Sequence, residues 1–141
     1  MTALSANASY DIRNVLGQKE ETITIKTSSV IYKHALVVVD DAGNECLPAA
    51  NATTTQFMGL AKTGPLTGDG TVQCTFVYDI DVKLPSTGLS QGNIGVNVYC
   101  SDDALACLTT TLGPVIGTMV GYDATNSIWV HLRGPAFAKA S

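Results

Sequence analysis

Residues 35–61 read ALVVVDDAGNECLPAANATTTQFMGLA, and the reading of this stretch decides the fold. An apolar, β-branched run from Ala35 to Val39 stops at the polar turn Asp40-Asp41-Ala42-Gly43-Asn44. The chain resumes at Cys46-Leu47, loosens through small residues, and restarts at Phe57-Met58-Gly59-Leu60-Ala61. Branched side chains suit a pleated, half-buried surface, whereas Asp, Asn and Gly favour turns through local hydrogen bonds or tolerance of positive φ. The stretch therefore predicts strand, tight turn, strand, loop, strand.

Working outward, the same order recurs about sixty residues later. Val96 to Cys100 answers Leu36 to Val39, Asp102-Asp103 answers Asp40-Asp41, Cys107-Leu108 answers Cys46-Leu47, and Val115 to Met119 answers Phe57 to Ala61. Each copy ends in an alternating strand, Thr71 to Val77 in the first and Ser127 to Leu132 in the second. The recurrence is either a structural duplication or the chance alternation of a β-rich chain; both readings make the chain β-built. Gly59 and Gly117 hold equivalent places inside short strands, where a glycine marks a bulge or a close backbone approach.

The flanking segments follow the same rules. Thr22 to Thr27 alternates Ile23 and Ile25 against threonines, as a strand wet on one side should. Thr63 to Gly70 is a turn-rich loop. Val72, Cys74, Phe76 and Tyr78 share one side of a strand, followed by Ile80, Val82 and Leu84. Pro85 to Asn93 is the longest break and the expected joint between halves, because Pro cannot donate to a ladder. Helix is nearly absent from the reading. The organisation is thus an extended N-terminal segment, residues 1–18, one β domain, residues 19–135, and a short tail, residues 136–141. The fold class is all-β, a small β-barrel or sandwich of two similar halves.

A chain of 141 residues can bury one core of useful size. It is 45% hydrophobic but only 14% charged, below the usual quarter, so much of its surface suits coverage by neighbours. The net charge of −4 and the scattered Lys and Arg argue against nucleic acid as a partner. No run approaches the roughly 20 apolar residues needed to cross a bilayer, so no membrane is expected. The first residues lack the basic start and apolar run of a signal peptide. Cys46, Cys74, Cys100 and Cys107 form no Cys-x-x-Cys pair and read as reduced, buried thiols, with a disulfide or metal as the lesser alternative.

Catalytic patterns are not evident. No Gly-x-Ser-x-Gly or His-Glu-x-x-His occurs, no glycine-rich phosphate loop opens a helix, and no calcium loop surrounds the acidic pairs. His131 and His34 read as partly exposed strand residues rather than bases. Asp40-Asp41 and Asp102-Asp103 read as turn formers, and Asp79 with Asp81 as solvated neighbours on one strand face. No catalytic residue, metal or cofactor is expected.

The N-terminal segment carries sparse apolar anchors, Leu4, Tyr10, Ile12, Val15 and Leu16. It reads either as a frayed tail or as an arm that orders on a partner by seating anchors and pairing with a sheet edge.

Glu21 to Lys26, Ala35 to Val39 with its Asp turn, Phe57 to Ala61, the loop through Gly92, Val96 to Tyr99, Val115-Ile116-Gly117 and the closing Trp129 to Leu132 together resemble the capsid decoration, or cement, proteins of tailed bacteriophages. In that family a hydrophobic-Gly-hydrophobic strand typically recurs before a final alternating strand. The resemblance spans Glu21 to Leu132 and departs at Gly92-Asn93, where relatives often carry Gly-Asp. It implies a β-barrel or sandwich, commonly a homotrimer, made in the host cytoplasm and seated on the outer surface of the virion at threefold or quasi-threefold positions. Its partner would be the major capsid protein, clamped by the arm; on the arm reading alone, Leu4, Tyr10, Ile12, Val15 and Leu16 are the expected contacts. The reading from another class is a receptor- or carbohydrate-binding β domain of a tail or fibre, for which Trp129 and the tyrosines are the available aromatics.

Overall fold

The computed structural model describes residues 4–39, 45–49, 56–104, 106–108 and 114–134. The turn at residues 40–44, most of the loop before Gln56 and the tail from Pro135 lie outside them. The described residues form strands β1 (Ile12–Arg13), β2 (Lys19–Thr24), β3 (Val30–Ile31), β4 (Leu36–Val39), β5 (Cys46–Pro48), β6 (Gln56–Ala61) and β7 (Leu66–Thr67). They continue with β8 (Gln73–Tyr78), β9 (Asp81–Pro85), β10 (Asn97–Cys100), β11 (Ala106–Cys107), β12 (Val115–Ala124) and β13 (Ser127–Leu132). Short 3-10 turns span Val15–Gly17 and Gln91–Asn93.

Two antiparallel sheets carry the fold. The first has the order β2-β8-β6-β4-β5, the second β1-β9-β13-β12-β10-β11, and β3 pairs with β7 as a small third sheet. Apart from the added β1, each main sheet repeats the other strand for strand. The pairing agrees in detail. Val37 opposes Gly59 and the register then slips, so that Val38 opposes Phe57; Val98 opposes Gly117, slips, and Tyr99 opposes Val115. The bulges predicted at Gly59 and Gly117 thus occupy equivalent places. A single parallel bridge links the ends of each sheet, Ile25 to Cys46 and Ser86 to Ala106, so both sheets curl without closing into a barrel.

The duplication also explains a left-handed residue. His34 has φ 64°, and its equivalent in the second half is Gly95, φ 97°. His34 N–H donates to Ala61 O, as Gly95 N–H donates to Met119 O. The hairpin at β10–β11 is offset by one from the sequence alignment: Val38 opposes Leu47 whereas its counterpart Tyr99 opposes Cys107.

The main core lies between the sheets. Leu36, Val38, Phe57, Leu60 and Val77 from the first sheet meet Val98, Ile116, Met119, Ile128, Val130 and Leu132 from the second. A second core, with Ile25, Ile31, Val37, Met58, Cys74 and Phe76, fills the other face of the first sheet. Alternation places Cys74, Phe76 and Tyr78 of β8 in that second core and Val77 in the first, with Ile80, Val82 and Leu84; β8 and β9 belong to different sheets. The joint between halves is therefore the turn at Asp79, φ 57°, not Pro85 to Asn93. That later break falls within the second half. The loop at 63–70 also differs from expectation, since it contains β7, which pairs Leu66 with Ile31.

Candidate docking surface

The N-terminal segment lies along its own domain for most of its described length. Leu4 is half-buried against the second core, and its N–H donates to Asp103 Oδ1 at 2.8 Å. Asn7 exchanges bonds with Lys33 N–H and Gly64 O, and Ala8 N–H donates to Lys33 O. Tyr10 N–H donates to His34 Nδ1 at 2.9 Å, and the two rings stack with centroids 5.8 Å apart. Ile12 and Arg13 then add β1 to the edge of β9, opposite Val82 and Asp81. Tyr10 and Ile12 pack on the main core.

The tip that follows is different. Asn14 turns the chain in the left-handed region, φ 58°, and its side chain donates to Asp81 Oδ2. Lys19, on the other side of the tip, pairs with Asp79 at 2.7 Å. Between these two anchors the turn Val15–Gly17 presents Val15 at 51% exposure and Leu16 at 104%. Of the five expected contact residues, three are part-buried in the chain's own cores and only Val15 and Leu16 stand free.

Asp81 is the hub that fixes this geometry. It is buried, not solvated as its place beside Asp79 suggested. Its Oδ1 lies 2.8 Å from His131 Nδ1, while Oδ2 accepts from Asn14 and faces Arg13 Nε at 3.6 Å. His131 Nε2 lies 3.9 Å from Asp79. Because Asp81 Oδ2 accepts from Asn14 and lies in ion-pair range of Arg13, the arrangement anchors the N-terminal segment to the second sheet. His131 shares the outer face of β13 with Trp129, both half-buried. The Arg13 guanidinium lies 4.0 Å from the Trp129 ring centroid, and Lys83 approaches at 6.0 Å. Such stacking is worth about 0.5–1 kcal/mol at exposed sites.

Burial tunes the other clamps. His34 is buried rather than partly exposed; burial, with the charge of Lys33, lowers its pKa, so Nδ1 is free to accept from Tyr10. Burial, then the charges of Asp103 and Asp102, pushes the Tyr10 hydroxyl up to about 12. Burial also raises the Asp103 carboxyl. Asp102 does form a turn, its Oδ1 accepting from Ala104 N–H at 2.8 Å.

All four cysteines are free and buried. A hydrogen bond from Cys74 lowers the Cys46 thiol and raises Cys74, and burial pushes Cys100 up to about 12. No group of His, Cys, Asp and Glu among the described residues could hold a metal ion. An open groove lined by Ser9, Tyr10, Asp11, Lys83, Pro85 and Ser127 runs between the N-terminal segment and the β9–β13 edge. Comparison with models of protein families, with curated proteins and with solved structures finds no match to this chain.

Sequence reasoning missed His34, Asp81 and Asp103 as the residues that hold the N-terminal segment. One signal was available for His34: aligning Lys33-His34-Ala35 with Ile94-Gly95-Val96 places a histidine where the other half has glycine.

Proposed function

We propose that this chain is a non-enzymatic structural subunit that decorates the outer surface of a viral capsid, docks as trimers at threefold or quasi-threefold positions, and stabilises the expanded head by bridging major capsid subunits. The observation that carries the reading is the Val15–Leu16 tip, a fully exposed leucine beside a half-exposed valine, pinned at both ends by Asn14–Asp81 and Lys19–Asp79. Burying a leucine is worth about 1.5–3 kcal/mol, a weak contact alone. Three such tips on one trimer act at high effective concentration, and the closed symmetry matches a threefold site. Pre-ordering of residues 4–14 on the domain spares the entropy that a free arm would lose on docking. The sparse charge of the chain supports the same reading.

The experiment is co-sedimentation with expanded, undecorated heads from the protein's source. Saturable binding close to the number of threefold sites is expected, weakened at least tenfold by Leu16→Asp without loss of folding. Failure of the wild-type chain to bind heads overturns the proposal. For the carbohydrate-binding reading the discriminating probe is Trp129 fluorescence, which sugars would quench; Arg13 already covers one face of that ring.

A further inference from the structure

The internal duplication exposes a position filled in one half and, among the described residues, open in the other. By register, β9 in the second sheet corresponds to β2 in the first: Asp81 opposes His131 as Glu20 opposes Val77, and Lys83 opposes Trp129 as Thr22 opposes Thr75. The far edge of β9 is covered by β1, with Arg13 opposite Asp81 and Lys83 N–H donating to Asp11 O at 2.9 Å. The far edge of β2 pairs with no strand among the described residues until the bridge at Ile25.

Hydrogen-bond parity identifies the open groups. Ile25 N–H donates towards β8, to Val72 O, and Lys26 N–H donates the opposite way, to Cys46 O. Alternate residues of a strand point their main-chain groups to alternate sides. Glu20 and Thr22 therefore turn their N–H and C=O outward, at the positions where Asp81 and Lys83 meet β1.

We infer that the Glu20–Thr22 edge of β2 is a strand-addition site that receives an extended segment of the major capsid subunit, running antiparallel and carrying a Lys or Arg opposite Glu20. This rests on the decoration reading above. Three observations specify the occupant. The chain itself shows the mode, because an extended segment covers the equivalent edge with an arginine opposite the equivalent acid, Arg13 with Asp81. Glu20 has capacity for such a partner: its present pair with Lys62, 3.2 Å apart, joins side chains 49% and 51% exposed, and surface pairs of this kind are worth little. The edge is also continuous with the Val15–Leu16 tip, since β2 begins two residues after Gly17, so one partner surface meets both. Main-chain pairing supplies affinity in strand addition, and the opposed side chains supply selectivity.

The test is amide hydrogen exchange of the chain, free and bound to expanded heads, with fragmentation that resolves the Thr22 amide. Slowing of Thr22 exchange by tenfold or more on binding is expected, as is a fivefold or greater loss of affinity in Glu20→Lys, whose exposed site leaves the fold intact. Thr22→Pro, which deletes the outward donor, is expected to weaken binding further. Binding of wild type with Thr22 exchanging as in the free chain, together with wild-type affinity in Glu20→Lys, overturns the inference and leaves Lys19, Glu20 and Glu21 as charges that guard an edge against pairing. Under that result the decoration reading still stands. Failure of wild type to bind at all overturns both.

Discussion

Adding one methyl group at Gly117 is expected to be among the most damaging single changes in this chain. A Cβ there would lie 1.9 Å from His131 O, on the neighbouring strand. At the equivalent Gly59 it would lie 2.5 Å from Val77 O and 2.9 Å from a Phe76 ring carbon. Ordinary contact begins near 3.4 Å, so the obstructing carbonyl must retreat by about 1.5 Å in the first case and about 0.9 Å in the second. Both carbonyls belong to central strands and cannot move as a flexible side-chain tip could. Overpacking a core usually costs about 1–3 kcal/mol, occasionally more. Gly59→Ala is therefore placed at about 2–3 kcal/mol, and Gly117→Ala, which must part β12 from β13, at or above about 3–4 kcal/mol. Domains of this size have only about 5–15 kcal/mol in hand, and a loss of about 3 kcal/mol lowers Tm by on the order of 10 °C. Urea and thermal unfolding followed by circular dichroism measure both. Gly92→Ala is the control: its nearest neighbour is Ser90 Oγ at 3.8 Å, and it should be neutral or slightly stabilising. Gly59→Ala and Gly117→Ala both within about 1 kcal/mol of wild type would refute the close-approach account of the two bulges.

Other outcomes follow from the clamps and the buried groups. His34 has a folded pKa below its unfolded value of 6.5, so its contribution is present above that pH and lost as pH falls through it towards the lower folded value; the protection factor of the Tyr10 amide, its exchange rate taken relative to the intrinsic rate at each pH, should be smaller at pH 5.5 than at pH 7.5, and equal protection factors would contradict the His34 clamp. Asp81→Ala should cost about 1–3 kcal/mol in urea unfolding, at the modest end for a buried carboxylate because Arg13 and His131, each nearly half exposed, regain water. Thiol reagent should find no rapidly reacting cysteine in the native chain and four after denaturation.

The sequence made the strands legible where patterning and turn chemistry agree. The apolar run at β4 and the alternation of β13 follow from side-chain period, and the two bulges from glycines set among large residues. The duplication could be suspected from the order of motifs, yet its proof lies in register, in paired bulges, and in His34 adopting the left-handed turn of Gly95. The joint was misplaced because Pro85 to Asn93 carries loud turn residues, whereas the change of sheet is made by one left-handed residue, Asp79. The N-terminal segment was the least legible part. Its anchors were visible, but their destinations depend on contacts with residues far along the chain, Leu4 to Asp103 and Tyr10 to His34, that no local pattern encodes. Asp81 looked solvated for the same reason, since its burial is created by the arrival of Arg13 and Asn14.

Heating of expanded heads, with genome release read by a DNA-binding dye, tests the stabilising role most directly. Heads saturated with the wild-type chain should release DNA at a higher temperature than undecorated heads, and Leu16→Asp at the same total concentration should return the release temperature towards the undecorated value. An unchanged release temperature in heads shown to carry the wild-type chain would contradict the account.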